Sequence, residues 1–298
     1  LPNWNEVLRE INAGFASNPL DKVRRKYLKE LFEETGRNTI CYYSAFIERP
    51  RFEGIEINDG DVNAFMAVIH GMDRSKGLDL LLHTPGGSIT ATESLVQYLR
   101  KLFGTDIRAI VPQIAMSAGT MIACACKSIV MGKQSSIGPI DPQMNGIPAQ
   151  GVIEEFKRAI AEVKANPSTI EIWRTVVSKY PPTFIGECAK VIKLSETLVA
   201  SWLSSNMFAV DKELKNKVEK IVVALSDHKN SLTHSRHIDA LQAKEIGLII
   251  EDMEDDDTLQ DRILTVHHAF VHTLGRANVK KIIENHEGKA IVQHFAES

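Results

Sequence analysis

The amino-acid sequence predicts an α/β protein, a mostly parallel sheet with helices outside it. Three observations carry that expectation. The segments "LDLLLH" (78–83), "IRAIVP" (107–112) and "SIVMG" (128–132) are short, nearly continuous apolar runs, as strands buried on both faces require. Between them lie stretches whose apolar residues recur at helical spacing. The resulting β-α-β-α-β alternation is that of crossover connections in a parallel sheet. With 298 residues, 44% apolar and 24% charged, the chain has a globular make-up, long for one simple domain and short for two large ones.

Residues 1–37 read as a charged helical arm. Leu20, Val23, Tyr27, Leu28 and Leu31 recur at helical spacing, and Gly36 marks the stop. A packing or oligomer contact fits this arm better than a nucleic-acid role. The core is expected over 38–250, opening with the strand "NTICYYSAF" (38–46). A helix over 90–103 follows the strand at 78–83. Thr90 and Glu93 form a capping-box pattern, Leu95, Val96, Leu99 and Leu102 make the inner stripe, and Gly104 closes it. A second helix opens near Ser117. Residues 150–210 read as a helical insert, broken at Pro167 and at Pro181-Pro182. "AKEIGLII" (243–250) reads as helix end, glycine turn and strand. The remainder, 251–298, is expected to be an acidic linker, "EDMEDDD", followed by C-terminal helices. That run lacks the glycine and spacing of a calcium loop.

Several function classes are disfavoured. The net charge of -3 offers no global basic field for nucleic acid, and Trp4, Trp173 and Trp202 are scattered rather than forming a stacking platform. The uncharged run 109–126 has the length of a membrane span, but Pro112, Gln113, Ser117 and Gly119 interrupt it, and a strand followed by a buried helix explains it. Membrane association is not indicated by the chain. No signal-peptide pattern is present, and the chain opens on Leu1 rather than Met, which leaves an upstream segment or anchor open. The four cysteines, two of them as Cys124-Ala125-Cys126 in an apolar run, fit buried free thiols and a cytoplasmic location. No metal site is expected. His268 and His272 are four apart on one helix with His267 beside them, but no third ligand accompanies them. No cofactor is implied, and no P-loop is present, so any ATP-driven step would need a separate partner.

Two corners carry the chemistry. "LLLHTPGGSIT" ends a strand in Pro85-Gly86-Gly87, and "AMSAGT" ends the next in Ser117, flanked by Ala115, Ala118 and Gly119. Acyl transfer passes through a tetrahedral oxyanion, and each backbone N–H aimed at that oxygen lowers the barrier by about 3–4 kcal/mol. Paired glycines reach backbone angles closed to other residues, and Pro85 has no N–H to satisfy. Ser117, between a strand and a helix start, has the logic of a nucleophile elbow without the G-x-S-x-G pattern. Taken singly, Pro-Gly-Gly is a turn and Ser117 a helix N-cap.

Together, in this order and on this sheet rhythm, the two motifs resemble the serine peptidases of the ClpP/crotonase superfamily. The nearer resemblance is to the serine dehydrogenase proteinase group, relatives of the signal peptide peptidase SppA and the Clp proteolytic subunit. "SSIGPIDP" (135–142) and "KKIIENHEGKA" (280–290) also fit it, so the resemblance spans about 38–290. It implies a repeated ββα spiral core with added N-terminal, insert and C-terminal helices. It implies Ser117 as nucleophile and an oxyanion loop at Gly86 and Gly87, with the Gly87 and Ala118 N–H groups as donors. Peptide or protein substrates and homo-oligomeric assembly are implied with it.

The base is left open by the sequence. Clp-type enzymes carry a histidine where this chain has Ile140 and Asp141, and the lysine used by SppA relatives has no match in "IPAQGVIEEF". His234 is the first candidate, since it precedes a segment resembling the region that carries the third triad member. His237 is its competitor. Asp141 fits a role orienting a histidine, or a turn. Lys157 is expected on the outer face of its helix, and His83 is expected to be structural. Besides an endopeptidase, two other classes fit parts of the pattern. A crotonase-type acyl-CoA enzyme would use the oxyanion loop without the serine, and a non-catalytic ClpP-like scaffold would keep the fold alone.

Overall fold

The computed structural model describes residues 4–13, 18–50, 52–211, 213–226 and 234–296. A seven-stranded sheet forms the centre. Its strands are β1 (Asn38–Ser44), β2 (Leu78–His83), β3 (Ile107–Val111), β5 (Ser128–Met131), β10 (Ile250–Asp252), β11 (Val279–Asn285) and β12 (Ala290–His294). They lie in the order β10-β5-β3-β2-β1-β11-β12. From β10 to β1 every pairing is parallel, and the hairpin β11–β12 adds antiparallel to β1. All residues of β1 and β2 are buried, which explains their unbroken apolar texture.

A smaller sheet, β4-β6-β9, stands over the C-terminal ends of the parallel strands. It is built from β4 (Ile114–Ala115), β6 (Ser136–Ile137) and β9 (Ile238–Asp239). Single bridges, Thr84 to Ala115 and Ile57 to Gly87, extend it beyond β4. The chain therefore winds as a spiral. Each turn lays one strand in the large sheet, one short rung in the small layer and then a helix. The successive turns are β1, Ile57 and α3 (Gly60–Ile69), then β2, Thr84 and α4 (Ile89–Phe103), then β3, β4 and α5 (Ala118–Cys124). This is the expected repeated ββα core.

Helices α3, α4, α5, α8 (Phe184–Ser205), α9 (Leu214–Ser226) and the short α10 (Ala240–Ile246) cover one face of the sheet over the larger hydrophobic core. The other face is covered by α2 (Pro19–Thr35) and the C-terminal helix α11 (Asp257–Arg276), through Leu28, Leu31, Ile263, Val266 and Phe270. The arm begins with α1 (Trp4–Ala13), whose Val7 and Ile11 pack with Val23 and Ala269. Gly36 ends α2 in the left-handed conformation, with its N–H on Phe32 O. The insert carries α6 (Ala149–Ala165) and α7 (Ile170–Val177), and α6 shares with the start of α8 a cluster of its own, Ala149, Val152, Phe184 and Cys188.

Three expectations need correction, and one element is new. Helix α4 is capped by Ser88, whose hydroxyl accepts from the Ala91 N–H, while Glu93 accepts from Gln97 instead of completing a capping box with Thr90. The acidic run is not a linker. Glu251 and Asp252 belong to β10, paired with Arg108 and Lys244, and Asp256 caps α11. The tail is one helix and a β-hairpin rather than two helices, because the register of β11 on β1 buries Ile282 and Ile283 on opposite faces of the sheet. Finally, a two-strand hairpin, β7 (Gln143–Met144) and β8 (Ile147–Pro148), precedes the insert, turning at Asn145-Gly146 with positive φ at both residues.

Candidate active site

The bridge between Thr84 and Ala115 brings the two corners together. Thr84 N–H donates to Ile114 O at 3.2 Å and Met116 N–H to Thr84 O at 3.0 Å. The chain then leaves β2 through Pro85-Gly86-Gly87 directly beside the residue that follows Met116. How closely they meet is read from Gly86. A Cβ added there would lie 2.7 Å from Ser117 Cβ, 2.8 Å from Met116 O and 3.0 Å from Ala118 N. Only a residue without a side chain fits, and φ +99° is itself a glycine conformation.

Ser117 has φ 51° and ψ -114°, a sparsely populated conformation for a side-chain-bearing residue that costs about 1–3 kcal/mol. This is the strained strand-to-helix turn of a nucleophile elbow. Its hydroxyl makes no capping hydrogen bond, so the helix-cap reading is set aside. Ser117 is partly exposed while Ile114 to Met116 and the whole of α5 are buried, so Ser117 is the side chain of this stretch that solvent reaches. Thr120 ties the corner to the next turn of the spiral. Its hydroxyl donates to Ala115 O at 2.9 Å and accepts from Gly138 N–H at 2.9 Å.

Two amides beside Ser117 have no acceptor among the described residues. Ala118 N–H opens α5. Gly87 N–H is left over because its neighbours are engaged. Ile57 N–H donates to Gly86 O at 2.8 Å and Ser88 N–H to Ile57 O at 2.9 Å, which turns the Gly87 amide to the opposite side. Gly86 N–H donates to Thr84 Oγ1 at 3.1 Å, so Gly86 serves close approach and is not a free donor. Gly87 is as tightly placed as Gly86, since an added Cβ would lie 2.4 Å from both Ile57 N and Ile57 O.

The small sheet gathers the polar side chains. β4 and β6 are parallel and β9 is antiparallel to β6, with Ala115, Ile137 and Ile238 in register. Ser117 follows β4, Asp141 follows β6 and His234 precedes β9, so all three emerge at one end of the sheet. The span from the first strand to the third is about 10 Å at ordinary strand spacing. His234 Nδ1 donates to Asp141 Oδ1 at 2.8 Å, with Asp141 buried and His234 18% exposed. A neutral imidazole whose Nδ1–H is held by a carboxylate presents Nε2 as its basic nitrogen. No hydrogen bond joins Ser117 to His234 in the resting chain among the described residues. Such bonds commonly tighten only when substrate is bound.

The other candidates fall elsewhere. His237 Nδ1 lies 3.1 Å from Ser136 Oγ, on the shank of the small sheet. Lys157 is exposed on α6. His83 is fully buried among Tyr43, Phe46 and His267, and burial holds its pKa down to about 3. His267, His268 and His272 lie along α11, His267 beside Tyr43 and His272 against Trp4. No group of three or more metal-type ligands occurs among the described residues. The four cysteines are buried, and burial raises the Cys41, Cys124, Cys126 and Cys188 thiols, so none is an activated nucleophile. Sequence reasoning missed the rung at Ile57 that orients Gly87. No local pattern marks it, because a single bridge leaves no periodicity.

The parallel sheet, the short second layer above its C-terminal edge and the strained serine turn beside the Pro85-Gly86-Gly87 corner are those of a ClpP-like α/β protein of the serine-peptidase class. The comparisons narrow this. Residues 15–253 match the family model of the ClpP-like SDH-type serine proteinases, and the chain belongs to that family. An uncharacterised protein of Methanocaldococcus jannaschii is 29% identical over 238 residues, 78% of this chain and 74% of that protein. A second uncharacterised protein of the same organism is 29% identical over 140 residues, and the chain spans 47% of its length. The ATP-dependent Clp protease proteolytic subunit 1 of Corynebacterium diphtheriae is 22% identical over 189 residues, 60% of this chain and 85% of that subunit. A solved structure of a membrane-bound stomatin-specific protease, in a mutant form, is similar at a TM-score of 0.27 and 26% identity, over 37% of this chain and 57% of that one. Among the described residues, no helix is long and apolar enough to cross a membrane.

Proposed function

We propose that the chain is a serine endopeptidase whose nucleophile is Ser117. His234 Nε2 takes the Ser117 hydroxyl proton as Oγ bonds to the peptide carbonyl carbon. The carbonyl oxygen becomes an oxyanion held by the Gly87 and Ala118 N–H groups. The adduct collapses, the C–N bond breaks, and the imidazolium returns its proton to the departing amine. Water then repeats the sequence on the acyl-enzyme, releasing the acid and freeing Ser117. Asp141 holds the His234 tautomer and stabilises the imidazolium. The observation that carries the reading is the convergence at Gly86. A strained, partly exposed serine sits in contact with a corner whose next amide is unpaired.

A fluorophosphonate probe tests it. Labelling is expected at Ser117 and absent in Ser117→Ala, and labelling that persists in that variant would remove Ser117 from its role. Homo-oligomeric assembly belongs to the same proposal. It is supported by exposed apolar side chains on the insert, Ile160, Ile170 and Ile172, and sedimentation of the full chain checks it. A cytoplasmic location, supported by four free cysteines, is part of this reading as well.

A further inference from the structure

A buried ion pair far from Ser117 in sequence has no part in the chemistry above. Lys281 of β11 is fully buried, and its ammonium donates to Asp61 Oδ1 at 2.7 Å, Asp61 Oδ2 at 3.0 Å and Glu56 O at 2.8 Å. Its three protons are thereby spent. Asp61 Oδ2 also accepts from the Tyr42 hydroxyl at 2.8 Å and from Asn58 N–H at 3.0 Å. Burial pulls the Lys281 pKa below its ordinary value while Asp61 opposes that shift. Replacing such a pair by apolar side chains is commonly neutral or stabilising, so folding energy alone is a weak reason for its presence.

What an apolar substitute cannot do is hold backbone. Glu56 O and Asn58 N–H, both fixed by the cluster, flank Ile57 on its two sides. Ile57 in turn grips Gly86 O and Ser88 N–H, which flank Gly87. Among the described residues, the side-chain hydrogen bonds that tie residues 55–58 to the large sheet are those of this cluster and the Ser44 hydroxyl on Ile55 O at 2.6 Å, beside the apolar packing of Ile55 and Ile57. We propose that Lys281 and Asp61 are positioning residues for the oxyanion corner, acting through Glu56, Asn58 and Ile57 to aim the Gly87 N–H at the site of Ser117. The catalytic consequence rests on the peptidase reading, whereas the mechanical link does not. Lys281 lies on the C-terminal hairpin, beyond the residues matched by the family model.

Two variants test this. Lys281→Met keeps the stem and removes the donors, but strands a buried Asp61. Lys281→Met with Asp61→Asn removes both charges, so no lone buried charge is left. Hydrogen exchange of the full-length double variant is expected to quicken at least tenfold at the Ile57 and Ser88 amides, with Leu80 and Ala109 in the sheet unchanged. The kcat for a peptide substrate is expected to fall by about 10²-fold with KM within threefold, since a displaced oxyanion donor weakens the transition state alone. Wild-type protection at Ile57 and Ser88 in the double variant overturns the proposal whatever the activity. Lost protection in a protein whose wild-type Ser117 is inert to the probe would uphold the clasp and overturn the peptidase reading.

Discussion

Substituting Gly86 by alanine puts the convergence of the two corners to a quantitative test. The added Cβ would stand 2.7 Å from Ser117 Cβ and 2.8 Å from Met116 O, whereas carbon contacts are comfortable at about 3.5–4.0 Å. The corners must therefore part by roughly 1 Å. A misplacement of that size costs about 10²-fold in rate, and loss of one oxyanion donor about 10²–10³-fold. The φ of +99° adds a conformational penalty of about 1–3 kcal/mol to folding. Gly86→Ala is thus expected to melt a few degrees lower and to react with a fluorophosphonate probe, and turn over peptide, about 10²–10³-fold more slowly. Gly104→Ala separates the two effects. Its φ is +62° with open space around the Cβ, so it carries the conformational penalty without touching Ser117. A Gly86→Ala enzyme within threefold of wild type, measured where both are folded, would refute the contact between the corners.

Other outcomes follow from the same geometry. His234→Ala and Asp141→Asn are expected to lower kcat by about 10²–10⁴-fold, while His237→Ala, whose partner is Ser136, stays within threefold of wild type in the same peptide assay. His83 makes folding pH-dependent. Its folded pKa of about 3 lies below the unfolded value near 6.5, so the unfolded chain binds the extra proton, and stability is full above pH 6.5 and lost as pH falls toward 3. The contribution lost at pH 5 is about 2 kcal/mol, and His83→Phe is expected to remove it when urea unfolding is compared at pH 8 and pH 5. Thr120→Val leaves Ala115 O and Gly138 N–H unpaired and is expected to cost about 1–3 kcal/mol in the same unfolding assay.

The strands were legible because burial on both faces leaves a mark that needs no context. The four leucines of "LDLLLH" are apolar wherever they are read, and β2 is buried throughout. The elbow was legible for a similar reason, since the close approach at Gly86 and the tight turn around Ser117 admit only small residues, which local composition records. The tail was misread because Val279 to Asn285 carries Lys281 and Glu284, charges that mask a strand until Asp61 and Arg24 are seen to meet them. The acidic run hides a strand in the same way, its first two carboxylates, Glu251 and Asp252, being paired with Arg108 and Lys244.

From the order of residues alone came the strand-and-helix rhythm, the two small-residue corners and the suspicion that His234 and Asp141 matter. Their meeting at 2.8 Å, and the choice of His234 over His237 as Asp141's partner, came from three-dimensional placement. Local composition reports what a residue's own backbone and burial demand. Partnership depends on strand register across long loops, and the pairing of β4, β6 and β9 brings residues 117, 141 and 234 to one edge with no trace in any short window of the chain.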